Sequence, residues 1–313
     1  MSRRAATANL PAMSAPTAES LAGERLAPVN GIEIAYEELG DPSGEPILLI
    51  MGLATQMIHW DENFCAELGA RGYRVIRFDN RDIGHSTKLD SAGMPRTAPM
   101  VFGLGRSAYR LTDMANDTAA LLDHLEIDAA HLVGASMGGM IAQQTALDHR
   151  DRVLSLCSIM SSTGNRRYRF PRWRAFGLLM AKPPSSREGY VEQAVKTFKV
   201  IGSPAYPMDE ARFRQLVGRA YDRSFHPPGV ARQLHAINCS GNRTRRLRGL
   251  DLPALVIHGT DDPLVRPVGG RETARAIPSA RLRMIEGMGH DLPPELHERL
   301  ADEIDSNARR AAD

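Results

Sequence analysis

The stretch His131-Leu-Val-Gly134-Ala-Ser136-Met-Gly138-Gly139-Met140 decides how the whole chain is read. An apolar run leads in, residues at helical spacing lead out, and the turn between them fits the pattern G-x-S-x-G. The logic of the pattern is steric. A sharp turn from strand to helix forces the serine into a strained backbone conformation, and only small neighbours such as Gly134 and Gly138 leave room for it. The turn lifts the Ser136 hydroxyl clear of the sheet. It also aims the first amides of the following helix at any oxyanion formed nearby. Ser136 therefore reads as a nucleophile. The alternative, a glycine-rich turn with an incidental serine, does not explain the strand and helix that flank it.

On both sides of this turn, strands and helices alternate. Ile32, Ile34 and Tyr36 alternate with polar residues as in a half-buried strand, and Ile47–Met51 is a wholly apolar run suited to a strand covered on both faces. A helical stretch at 60–70 and a strand at Tyr73–Phe78 follow. Leu111, Met114, Ala115, Thr118, Leu121, Leu122 and Leu125 recur at helical spacing. Then come the strand into Ser136, a helix over Met137–Leu147 and a strand over Val153–Met160. The rhythm stops over residues 161–245, which carry helical patches, prolines and many arginines. It resumes with a strand at Ala254–His258, a helix near Arg271–Ala276, a strand at Arg281–Ile285 and a last helix from Pro293. This order predicts an α/β fold: a mostly parallel central sheet, helices on both faces, and a mainly helical cap inserted at 161–245. The core is then 29–160 and 246–313. Residues 1–28, rich in Ala, Ser, Thr and Pro, read as a flexible tail.

At 313 residues the chain can bury a sizeable core, and 42% hydrophobic with 24% charged residues excludes collagen-like, coiled-coil and wholly disordered classes. Lys and Arg number 39 against 37 Asp and Glu, so no net field points to a nucleic-acid partner. Cys65, Cys157 and Cys239 are far apart and odd in number, so neither a disulfide framework nor a zinc or other metal site is expected. No run approaches the ~18 apolar residues of a membrane span. The first 28 residues lack a secretory signal's apolar stretch, so the expected location is the cytoplasm.

A serine needs a base and an orienting acid, which proteins with this turn carry in the order Ser…Asp/Glu…His. His290 lies in Gly287-Met-Gly-His290, a glycine-rich loop directly after the strand ending at Ile285, where ligand chemistry collects in open α/β sheets. His124, His149 and His297 read as solvated helix residues and His258 as a strand end. For the acid, Gly259-Thr-Asp261-Asp262 follows the strand at 254–258. Two adjacent carboxylates cannot both face one imidazole. Asp262, three residues past Gly259, is the choice, which leaves Asp261 as a solvated turn residue or helix cap.

Strand, serine turn, acid loop and histidine loop together resemble the α/β-hydrolase family from Gly31 to the last helix. Met51-Gly52-Leu53 stands where the family usually reads His-Gly, and the resemblance implies an oxyanion hole from the backbone amides of Leu53 and Met137. Asp79-Asn-Arg81-Asp-Ile-Gly84-His-Ser86 is similar to a family turn, D-x-R-G-x-G-x-S, with Asp82 where Gly is common. Arg266 stands where many members have Pro. The opening Leu-Ile-Met-Gly-Leu and the run Phe-Asp-Asn-Arg-Asp resemble the bacterial lipase/esterase branch and, more distantly, aclacinomycin methylesterases and cofactor-free haloperoxidases. The resemblance implies a serine hydrolase that cleaves small-molecule carboxylic esters through an acyl-enzyme, with Ser136, His290 and Asp262 as triad and no cofactor. A thioesterase or a perhydrolase/haloperoxidase would use the same triad, and a non-catalytic binding protein could use the same scaffold. Haloalkane dehalogenases and epoxide hydrolases of this fold use a carboxylate nucleophile, so Ser136 argues against both.

Between Ser161 and Arg187, Arg166, Arg167, Arg169, Arg172, Arg174, Lys182 and Arg187 are interleaved with Tyr168, Phe170, Trp173, Phe176, Leu178, Leu179 and Met180, with no acidic residue. The expectation is a basic, partly solvated cap whose apolar residues cover the substrate pocket. The sharper alternative is a surface for anionic lipid or for the phosphates of an acyl-CoA. Arg243-Thr-Arg-Arg246-Leu-Arg248 forms a second basic run that suits either role.

Overall fold

The computed structural model describes residues 23–168, 170–179 and 181–311. Eight strands, β1 (Arg25–Val29), β2 (Ile32–Gly40), β3 (Glu45–Ile50), β4 (Tyr73–Phe78), β5 (Ala130–Ala135), β6 (Val153–Ile159), β7 (Ala254–Gly259) and β8 (Ala280–Ile285), form one sheet in the order β1-β2-β4-β3-β5-β6-β7-β8. β2 is antiparallel to both its neighbours, and the pairs from β4 through β8 are parallel. β5 and β7 are buried at every position, the reason their sequences are short runs without polar alternation.

The helices are α1 (Glu62–Ala70), α2 (Thr97–Phe102), α3 (Leu111–His124), α4 (Met137–Asp148), α5 (Trp173–Leu179), α6 (Arg187–Ile201), α7 (Glu210–Arg223), α8 (Pro227–Cys239), α9 (Thr244–Leu247), α10 (Pro267–Ala276) and α11 (His297–Ala308). Successive strand residues point to opposite faces, so the sheet carries two cores. Leu48, Ile50, Ile76 and Leu132 pack with Met114 and Leu121 of α3 and Ile141 of α4. Ile47, Leu49, Val75 and Val133 pack with Phe64 and Leu68 of α1 and Leu300 and Ile304 of α11. Among the described residues, five helices, α5 to α9, intervene between β6 and β7. The helix expected near Arg271 begins earlier, at Pro267, whose fixed φ suits a first helical position.

The tail expectation needs correction at its C-terminal end. Residues 25–28 belong to β1, which pairs with β2 from Val29↔Ile32 out to Arg25↔Tyr36. Asn30 and Gly31 make the turn, with φ of 47° and 76°. Asn-Gly is the dipeptide that tolerates two successive left-handed residues and matches the twist of a hairpin. Residues 1–22 lie outside the described residues. Glu24, just before β1, accepts from Arg223 Nε and Nη2 of α7, both at 2.8 Å, and lies 2.9 Å from His85 Nδ1.

A second buried ion pair joins α8 to the turn after β4. Asp82 has φ 71°, which explains why glycine suits this position. Its fully buried carboxylate accepts from Arg232 Nε at 2.8 Å and Nη2 at 2.7 Å.

Two outcomes follow from these pairs. Burial alone would raise the Glu24 carboxyl, but His85 and Arg223 outweigh it and bring its pKa from 4.5 down to about 2. A depressed carboxylate stabilises the fold above its unfolded pKa and loses that contribution as pH falls through the folded value. Glu24→Gln is therefore expected to lower urea stability at neutral pH, with the gap closing between pH 4.5 and about 2. A gap constant across that window would contradict the pairing. Arg232→Ala leaves Asp82 buried without its counter-charge and is expected to cost about 3–5 kcal/mol in chemical unfolding at pH 7.

Candidate active site

Ser136 ends β5 and caps α4 with φ 55° and ψ −117°, a left-handed conformation no ordinary strand or helix residue adopts. Two glycines make the turn possible by close approach. A Cβ on Gly138 would lie 1.9 Å from the Ile50 carbonyl oxygen, and one on Gly134 would lie 2.2 Å from the Gly138 carbonyl oxygen. The start of α4 thus presses against the end of β3. β3 continues to β4 on one side of the sheet while β5 leads to β6 on the other, so the chain reverses direction between β3 and β5. The crevice at such a reversal is the usual ligand position in open α/β sheets.

The loop after β3 lies against the serine: a Cβ on Gly52 would be 3.6 Å from Ser136 Oγ. Asn80 Nδ2 donates to the Met51 carbonyl at 3.0 Å, and Thr55 Oγ1 donates to that of Gly52 at 3.0 Å. Ala54, at φ 63°, donates its amide to Gln233 Oε1 of α8 at 3.2 Å. Leu53 is half-buried in this loop, and Met137 is the first, fully buried residue of α4. The Met137 amide is among those a helix leaves without an internal partner.

His290 Nε2 is 3.0 Å from Ser136 Oγ, and its Nδ1 is 2.7 Å from Asp262 Oδ2. Asp262 is fully buried, and its Oδ1 accepts the amides of Leu264 at 2.8 Å and Val265 at 2.9 Å. Asp261 is exposed and its carboxylate accepts from Thr260 Oγ1 instead. Desolvation would raise the Asp262 pKa, but His290 first, then His258, hold it below the usual carboxylate value.

His258 is more than a strand end. Its ring is wholly buried, with Nε2 2.7 Å from the Val265 carbonyl and 3.3 Å from Asp262 Oδ2. A carbonyl only accepts, so His258 Nε2 carries a hydrogen, and Asp262 Oδ2 faces two imidazoles. The signal in the sequence was the spacing, His258 four residues before Asp262 across a turn, which brings the two together only once the loop closes. His297 is buried too, packed edge-on against Phe64 at 5.5 Å rather than solvated.

The basic stretch differs from expectation. Trp173 is 80% exposed and Phe170 44% exposed, so neither ring is packed into the core. Arg174 lies over the Trp173 ring at 5.3 Å and Arg167 over Tyr168 at 5.8 Å, contacts that suit an aromatic ring at a wet surface. Arg169 and Met180 lie outside the described residues, as do the side chains of Phe176, Leu178 and Leu179. A cavity of about 780 Å³ opens between Trp173, Phe198 and the acid loop at Asp261 and Pro263, and neither Ser136 nor His290 lines it. In the second basic run Arg245, Arg246 and Arg248 are exposed, and Arg243 is not. Arg243 is buried: its amide donates to the Thr163 carbonyl at 2.8 Å, Nη2 to the Ser162 carbonyl at 2.9 Å, and Nε to Gln143 Oε1 at 3.3 Å. Burial pulls this guanidinium down to about 10. It ties the point where the chain leaves the sheet after β6 to the point where it returns.

Among the described residues, no three His, Cys, Asp or Glu side chains are grouped to hold a metal ion, and no helix is long and apolar enough to cross a membrane.

Comparison with known proteins agrees with this architecture. The chain is 31% identical to rhodomycin D methylesterase DnrP of Streptomyces peucetius over 92% of its own length and 98% of that protein's. It is 30% identical, with the same coverage, to rhodomycin D methylesterase DauP of Streptomyces sp. strain C5. The crystal structure of the enol-lactonase from Burkholderia xenovorans LB400 superposes with a TM-score of 0.71 at 25% identity, covering 91% of this chain and all of that one. Residues 45–295 match the family model described as alpha/beta hydrolase fold, and with a serine turn, acid loop and histidine loop at the ends of its parallel strands, this chain belongs to that family.

Proposed function

We propose that this protein is a carboxylic-ester hydrolase in which Ser136, His290 and Asp262 form the catalytic triad. The observation that carries the reading is the unbroken contact from Ser136 Oγ through the His290 ring to Asp262 Oδ2, at 3.0 and 2.7 Å.

His290 Nε2 takes the hydroxyl proton as Ser136 Oγ attacks the ester carbonyl carbon, and Asp262 orients the ring and stabilises the imidazolium. The amides of Leu53 and Met137 receive the oxyanion, each such donor being worth about 10²–10³ in rate. Collapse of the intermediate breaks the carbon–oxygen bond to the alcohol, which leaves with the proton from His290. Water then attacks the acyl-enzyme with His290 as base, and the carboxylic acid departs as Ser136 recovers its proton. Similarity to two rhodomycin D methylesterases supports methyl esters as the first substrate class to try.

The test is a hydrolysis panel on purified protein: methyl and ethyl esters, p-nitrophenyl esters from acetate to palmitate, and acyl-CoA thioesters, with Ser136→Ala as control. Ester turnover that disappears in Ser136→Ala is expected. Thioester preference would replace the ester reading with a thioesterase, and inactivity of folded wild type on every substrate would sink the acyl-transfer proposal. Asp262→Asn is expected to lower kcat by about 10⁴, whereas Asp261→Asn stays within about threefold of wild type. Equal losses at both positions would refute the assignment of the acid.

A further inference from the structure

We infer that Ser203, on the loop between α6 and α7, is a positioning residue that holds the main chain of His290 in register with Ser136. The inference rests on the triad proposed above.

The loop after β8 is held from two sides. Its first residues meet both sides: the Gly287 amide donates to Thr260 Oγ1 at 2.9 Å and the Met288 carbonyl accepts the Asp261 amide at 3.0 Å, both from the loop after β7, while the Gly287 carbonyl accepts the Ala205 amide at 3.2 Å. The amides of the next two residues find their partners on the segment at 201–203. The Gly289 amide donates to Ser203 Oγ at 2.8 Å, and the His290 amide donates to the Ile201 carbonyl at 2.7 Å. Ser203 Oγ in turn donates to Asp291 Oδ1. One hydroxyl thus accepts from the residue before His290 and donates to the residue after it. The approach is close as well as directional: a Cβ on Gly289 would lie 2.3 Å from the Gly202 carbonyl oxygen. Ser203 is buried, so water does not readily replace its hydroxyl.

The consequence is mechanical. The imidazole reaches both Ser136 and Asp262 only while the main chain at 289–291 stays in place. The hydrogen bonds to the Gly289 and His290 amides come from a segment inserted between β6 and β7, while the end of β7 packs against Met288 and Gly289 from the other side. Among the described residues the Ser203 hydroxyl is hydrogen-bonded to Gly289 and Asp291, on either side of His290, so its effect passes through the His290 backbone. A displacement of about 1 Å at a reacting group can cost up to about 100-fold in rate.

The experiment compares wild type, Ser203→Ala, Asp291→Ala, Asp291→Asn and, as control, the exposed Val200→Ala. It measures kcat and KM on the best ester, the rate at which a fluorophosphonate labels Ser136, and the downfield proton resonance of the His290–Asp262 hydrogen bond. Ser203→Ala is expected to lose about 10- to 100-fold in kcat and in labelling rate, with KM within about threefold. Its downfield resonance should broaden or vanish. Asp291→Ala should lose about 3- to 10-fold, while Asp291→Asn, which keeps an acceptor for the hydroxyl, and Val200→Ala stay within about twofold. The Asp291 pair carries the test by itself if Ser203→Ala does not fold. Wild type that neither labels nor turns over esters would defeat the triad reading and this inference together. Labelled wild type matched by a folded Ser203→Ala in kcat and resonance, a loss confined to KM, or equal activity of the two Asp291 variants would overturn the inference alone.

Discussion

A serine backbone held at φ 55° costs on the order of 1–3 kcal/mol and persists only where its surroundings leave no alternative. Here they do so from every side. The Ser136 amide donates to the Ile159 carbonyl at 2.9 Å, its carbonyl accepts from Gly139 and Met140, and Gly138 lets the Ile50 carbonyl, as Gly134 lets the Gly138 carbonyl, pack where a side chain would stand. The contact that enforces the strain also brings the end of β3 against the start of α4. Gly52 is therefore a neighbour of the hydroxyl because the turn is tight, and loosening it would separate hydroxyl and loop together.

The helices between β6 and β7 are tied to the rest of the fold by buried polar contacts. Arg223 meets Glu24 and Asp79, Arg232 meets Asp82, and Arg243 binds the carbonyls at the exit from β6. Each contact is directional and out of water, so a shift of the helices would leave buried charge without a partner. Two of these attachments lead toward the serine. Gln233 of α8 bridges the Arg81 carbonyl and the Ala54 amide, and the segment at 201–203 carries the main chain of the histidine loop. The inserted helices thereby shape both the loop beside the hydroxyl and the position of the imidazole.

Asp262 illustrates how burial and partners oppose one another. A carboxylate with no solvent exposure would favour protonation, yet two amides on one oxygen and two imidazoles near the other keep it on the ionised side. Asp261, its neighbour in sequence, stands in solvent with a threonine hydroxyl as partner. One residue of register separates a buried carboxylate 2.7 Å from an imidazole from a surface turn.

Local patterns determined a good part of this protein. Seven of the eight strands are apolar or alternating runs, and the serine turn, the histidine loop and the choice of Asp262 over Asp261 follow from glycine placement and distance along the chain. These are features of period, sterics and order that a linear chain displays directly. The hairpin at Asn30-Gly31 is missed, because 1–28 reads as a tail, and Glu24 gains its partners only from His85 and from Arg223, 199 positions away. Tertiary structure alone decided the rest. It placed His258 on the acid, buried Arg232 and Arg243, turned Trp173 outward, and set Ser203 beneath the histidine loop. Each of these depends on which surfaces meet after the chain has closed. A buried arginine and a solvated one are the same letter until a carboxylate or carbonyl from elsewhere removes the water around it.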